Sequence, residues 1–166
     1  KFGIGSEEVI NVDKQIKQLE KELEKLHDKL YTLVNKQGIV ESLSKVSGIS
    51  KATATKVVAL IEDRTFVDKG SLVAFSGLDV AVRESGLYKG KVRISKRGSS
   101  QLRKYLVQIA WGLLMHNESF KEYAKKYKDK RKYYEILVIV ARKFLRMLYG
   151  TMKNNENFLT EYLTTV

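Results

Sequence analysis

The residues best suited to chemistry lie between Leu78 and Gly98. Arg83, Lys89, Lys91, Arg93, Lys96 and Arg97 crowd a stretch interrupted by Gly86, Gly90 and Gly98, with Glu84 set against them. A glycine-rich segment this basic is costly to fold unless an anion docks on it. Four hydroxyls accompany the cations, those of Ser85, Ser95, Ser99 and Ser100. Ser85 precedes Gly86, a residue without a Cβ that lets a phosphodiester come close. Arginines nearby can hold non-bridging phosphate oxygens in pairs and stabilise charge at phosphorus. On these grounds the four serines rank almost equally, and a plain turn serine is the competing reading for each.

Other chemistries find little support. The chain of 166 residues has no cysteine, which removes disulfides and thiolate metal sites and fits a cytoplasmic setting. Its two histidines, His27 and His116, form no pair, and each reads as a surface or helix-end residue. No HExxH pattern, no acidic cluster with metal-ligand spacing and no GxxxxGK[ST] loop occurs, so no metal site is expected within the chain. No apolar run approaches the roughly 18 residues that cross a bilayer, so no membrane partner is expected. Lys1-Phe2-Gly3-Ile4-Gly5 is not a signal peptide and lacks an initiator methionine, as expected of a piece cut from a longer protein. What the composition favours is a polyanion: 31 Lys and Arg stand against 19 Asp and Glu, a net charge of +12. A basic surface kept for solubility is the bland alternative.

The basic segment must be held by helices, and the absence of proline lets them run long. Ser99 or Ser100 caps a helix through Met115, whose first turn carries Arg103 and Lys104. Upstream, Ile39 to Leu43 and Lys51 to Ile61 read as two helices around the turn Val46-Ser47-Gly48-Ile49-Ser50. That is a helix–hairpin–helix skeleton, whose second helix offers amides to a phosphate, with Lys51 and Lys56 beside it. Ser50 stands where a second glycine is usual, and an ordinary turn in the core is an equal alternative. From Val9 to Leu33 a heptad runs through Val9, Ile16, Leu23 and Leu30, and through Val12, Leu19, Leu26 and Leu33. It predicts a coiled-coil arm of about 40 Å that pairs with another copy, against the alternative of a helix packed on its own domain. Tyr123, Tyr127, Tyr133 and Tyr134 interleave with the lysines of 121–132, read as half-buried packing ahead of base stacking. Tyr134 to Met152 is apolar enough to be the central helix.

Taken together, Phe75-Ser76-Gly77-Leu78, Glu84-Ser85-Gly86, Ile94-Ser95-Lys96-Arg97-Gly98 and Leu102-Arg103 resemble a known pattern. It is that of the C-terminal domain of the Piv/MooV-type, bridge-RNA-guided insertion-sequence transposases. The turn at Gly48, with Thr53-Ala54, and the run Ala141-Arg142-Lys143 are similar to segments of the same proteins, so the resemblance spans roughly 40–152. It implies a recombinase in which the serine of the Ser-Gly motif, here Ser85, attacks DNA and forms a phosphoserine intermediate. It further implies a guide RNA, assembly into dimers or tetramers through the coil, and magnesium held by a separate acidic N-terminal domain. That domain has no counterpart in this chain, so the expectation here is binding and assembly without turnover.

The sequence therefore predicts a mainly α protein. A coiled-coil arm occupies 1–38, a compact helical domain with the helix–hairpin–helix-like turn and the basic loop or small β-hairpin occupies 39–152, and 153–166 is a tail. Its expected partners are DNA, a guide RNA and further copies of itself. The expected function is strand cleavage and rejoining in transposition. The alternative is a non-catalytic DNA- or RNA-binding module that dimerises through its coil, and a weaker one is a coiled-coil scaffold whose charge is incidental.

Overall fold

In the computed structural model, residues 6–35, 38–81, 84–85, 88–89 and 93–154 are described. The chain opens with α1 (Ser6–Val34), 29 residues and about 43 Å at helical rise. The heptad positions on α1 do not pack on the body. Val9, Val12, Ile16, Leu19, Leu23, Leu26 and Leu33 stay between 48% and 66% exposed. Only the last turns join the rest, through Leu30, Tyr31 and Val34. The alternative of an arm lying along its own domain is thereby corrected.

Gly38, in the left-handed region at φ 66°, turns the chain into α2 (Ile39–Ser44). The turn that follows leads to α3 (Lys51–Ile61), whose N-cap Ser50 accepts a hydrogen bond from the Thr53 amide. Ser50 has an extended φ of −77°, which any residue adopts, so the position has no need of the usual glycine. Gly48 does need to be glycine. Its φ is +95°, and its backbone lies against that of Gly112 on α5 (Ser100–His116) so closely that a Cβ on either would collide with the other's carbonyl. The turn is thus docked on α5, with Ile49 buried.

A capping box between Asp68 and Ser71 opens α4 (Lys69–Ser76), and Gly77 closes it in the left-handed region. After α4 comes a narrow ribbon. β1 (Val80–Ala81) pairs antiparallel with β4 (Arg93–Ile94), and β2 (Glu84–Ser85) pairs with β3 (Tyr88–Lys89). The basic segment is therefore a hairpin rather than an irregular loop.

Beyond the ribbon follow α5, α6 (Glu118–Lys128) and α7 (Tyr133–Asn154). The core forms where α5 and α7 pack together and against α3 and α4. Leu102, Leu106 and Leu113 of α5 meet Val140, Phe144, Leu145 and Leu148 of α7 in a cluster closed by Leu43, Ile61, Leu72 and Phe120. Among the described residues the fold is helical apart from the ribbon. The expected tail from 155 onward and the opening residues 1–5 lie outside the described residues.

Candidate nucleic-acid interface

The ribbon is anchored by the end of α4 and the start of α5. The Ser99 amide donates to the Phe75 carbonyl at 2.7 Å, Lys96 N–H to Gly77 at 3.1 Å, and Ser95 N–H to Asp79 at 2.8 Å. A Cβ on Gly98 would strike the Phe75 carbonyl and the Gly77 nitrogen, so only glycine lets the two backbones lie this close. Lys96 takes a left-handed φ of 57°, a conformation that costs a lysine roughly 1 kcal/mol and that the surrounding bonds impose. Arg103 donates from Nη1 to the Ser76 carbonyl at 3.1 Å, closing the C-terminal end of α4.

These contacts separate the four candidate serines. Ser95 donates its hydroxyl to the Asp79 carboxylate and accepts from the Arg97 amide. Ser99 is the N-cap of α5, accepting from Leu102 N–H. Ser100 is an exposed residue of the first turn of α5. Ser85 is the last residue of β2, opposite Tyr88, with Gly86 and Leu87 between them in sequence. It therefore stands at the far end of the ribbon from the α4–α5 anchor.

The predicted cations fall into three places. Arg93, Lys96, Arg97, Arg103 and Lys104 gather at the ribbon's base and on the adjoining first turn of α5; all are exposed except Arg103, which is half-buried. The Ser76 contact uses one of the five N–H donors of Arg103. Lys89 lies on β3, opposite Glu84. Arg83 and Lys91 are outside the described residues. Lys51 and Lys56 belong elsewhere. Lys51 Nζ rests 3.6 Å from the Tyr31 ring centroid, tying α3 to the root of the arm, and Lys56 lies 5.6 Å from the Tyr105 ring. At the start of α3 the Thr53 amide is already bound to Ser50 Oγ, which takes one of the donors expected to meet a phosphate.

The sequence reading places Arg142 and Lys143 in the family resemblance but gives no role to them or to Arg146. Arg142, Lys143 and Arg146 punctuate the apolar α7 at helical spacing, and Lys143 Nζ reaches the Tyr123 ring at 4.2 Å. Their i, i+3 and i, i+4 spacing was the available signal, since a wholly buried helix carries no such stripe. Tyr123 and Tyr127 pack edge to face, 5.6 Å between ring centroids, as expected of half-buried packing, whereas Tyr134 is 79% exposed.

Among the described residues no group of three or more His, Asp or Glu could hold a metal ion. Among them, too, no helix is long and apolar enough to cross a membrane. In comparison with known proteins, no curated protein matches the chain. The family model described as Transposase IS116/IS110/IS902 family matches residues 40–125, more than half of the chain. That span runs from the docked turn through the ribbon to α6, and by it the chain belongs to the IS116/IS110/IS902 transposase family.

Proposed function

We propose that this chain is the DNA-joining part of a transposase and that its ribbon presents Ser85 to a DNA phosphodiester as the nucleophile. The observation that carries this reading is the division among the serines. Ser95 and Ser99 are committed to holding the ribbon and α5, which sets them aside, and the strand register puts Ser85 at the end of β2, opposite Tyr88. Ser100 remains as a free-standing hydroxyl candidate, and the resemblance of Glu84-Ser85-Gly86 to the family's Ser-Gly motif selects Ser85.

In the proposed reaction Ser85 Oγ bonds to phosphorus and one P–O bond of the strand breaks. The leaving deoxyribose oxygen gains a proton as the serine hydroxyl loses one, so the exchange is proton-neutral. Rejoining is the same exchange in reverse, with another strand end attacking the phosphoserine. Arg93, Lys96, Arg97 and Lys104 hold neighbouring phosphates, together with Arg83, Lys89 and Lys91 of the same segment. Magnesium enters this reading only through the family resemblance, which assigns it to a different part of the protein, a separate acidic domain. Two arms pairing along the exposed seam of α1 would bring two ribbons into one assembly, to which a guide RNA adds the target address.

The test uses the full-length parent with magnesium, its guide RNA and a nicked DNA that traps the intermediate. A covalent adduct mapping to Ser85, lost in Ser85→Ala with DNA affinity kept, is the expected result. DNA binding without any adduct, or an adduct that survives in Ser85→Ala, overturns the assignment and favours a non-catalytic binding module.

A further inference from the structure

α6 carries lysines of two kinds. Lys121 and Lys125 pair with Glu118 and Glu122 along the helix's outer face. Lys126 instead lies 5.7 Å from the Tyr123 ring, whose face also receives Lys143 from α7 at 4.2 Å. Arg142 and Arg146 stand near enough for their charges to act on the Tyr123 hydroxyl and, between the two arginines, on each other. Next to this group Lys69, Lys143, Arg146, Tyr123 and Tyr149 line a cleft of about 380 Å³ between α4, α6 and α7, and no carboxylate lines it.

The arrangement is unfavourable for the protein alone. None of Lys69, Lys126, Arg142, Lys143 and Arg146 forms a salt bridge among the described residues. Burial, then repulsion from Lys126, holds the Lys143 ammonium below its ordinary pKa; burial and then Arg146 do the same to Arg142. The Nε of Arg142 is buried with no hydrogen-bond partner among the described residues. Cations resting on aromatic faces are common packing. Ordinary packing, however, disperses like charges or pairs them with acids, as the outer face of this same helix does. Lys69, Lys143 and Arg146 line the cleft without a salt bridge, with Lys126 and Arg142 beside them, and an anion that enters it relieves their repulsion.

We propose that the α4–α6–α7 cleft seats adjacent backbone phosphates of a nucleic-acid strand, at a site distinct from the ribbon that carries Ser85. The lining supplies ammonium and guanidinium donors for the non-bridging oxygens, and Tyr123 and Tyr149 give the sugar an aromatic wall. The Asp79 carboxylate at the ribbon's base lies near enough for its charge to act on Arg142. The site rests on nucleic acid being the partner, and it is independent of the role given to Ser85.

The experiment measures reversible binding of labelled RNA and DNA of one sequence, single-stranded and duplex, across a salt series with the whole chain and Ser85 intact. Lys143→Gln/Arg146→Gln is compared with Lys121→Gln/Lys125→Gln, an equal charge change on the paired face. The cleft variant is expected to bind severalfold more weakly, with its salt slope reduced by about 1.8 on duplex DNA and about 1.4 on a single strand. The control is expected to change neither by as much. Arg146→Lys, which keeps the charge, is expected to retain the slope. A greater loss on RNA than on DNA assigns the seat to an RNA strand, and an equal loss assigns it to either backbone. If the double variant does not fold, Lys69→Gln at the exposed start of α4 carries the test, with a slope reduced by about 0.7 to 0.9. Cleft variants that bind with wild-type affinity and slope, while the chain still binds nucleic acid, overturn this proposal alone. A wild-type chain that binds no nucleic acid overturns it together with the proposed function.

Discussion

The two ends of the ribbon are built differently. At the base, backbone and side chains are locked by named partners: Gly98 against Phe75 and Gly77, Ser95 on Asp79, Ser99 on Leu102, Arg103 on Ser76. The far end is defined by two backbone pairs, Glu84 with Lys89 and Ser85 with Tyr88. Most of the residues that resemble the transposase motifs therefore serve as anchors. Gly77-Leu78, Lys96-Arg97-Gly98 and Leu102-Arg103 hold the ribbon onto α4 and α5, and the Ser-Gly motif alone stands away from that joint. A motif that resembles a family's is in this case mostly the record of how a segment is held, and the proposed chemistry rests on one residue of it.

That contrast can be broken by substitution. The largest stability effect is expected at Gly98→Ala, where the added methyl meets backbone atoms that cannot rotate aside. It should cost about 3 kcal/mol, the upper end for overpacking, and lower the melting temperature by roughly 10 °C in a thermal scan. Asp79→Ala leaves the Ser95 hydroxyl without its carboxylate and Arg142 without an opposing charge. A loss of about 1.5 to 2 kcal/mol is expected from the urea midpoint at constant slope. Ser99→Ala removes the cap of α5 and should cost about 1 kcal/mol by the same measurement. Ser85→Ala completes the series with a stability change within about 0.5 kcal/mol, even though it is the variant expected to end strand joining. A destabilisation at Ser85 matching that at Ser99 would make both serines structural and erase the distinction between the two ends.

Much of the helical frame could be read from residue pattern. Lys51–Ile61 follows from the turn at Ser50 and the apolar spacing, and α5 from its serine cap, because caps and periodicity are local signals. The contact of Gly48 with Gly112 was not legible. It joins residues far apart in sequence, and nothing beside either glycine says which backbone it will meet. Among the serines, Ser95 looked as available as Ser85 until Asp79 was placed within reach of its hydroxyl. The cations of α7 have no role legible in the sequence for a related reason: their helix reads as core, while the tyrosine and lysine that give Lys143 its setting come from α6. Long-range pairing, not local propensity, decided each of these.

The arm has a mechanical consequence. A helix about 43 Å long held only at its last turns is a lever, and each degree of tilt at the root moves its free end by about 0.75 Å. The fulcrum is small: Leu30 and Val34 against the body, and the Lys51 ammonium on the Tyr31 ring. If two such arms pair as proposed, the stance of one body relative to the other is written in that handful of contacts. A substitution at Tyr31 or Lys51 would then reset the spacing between two ribbons without touching either of them.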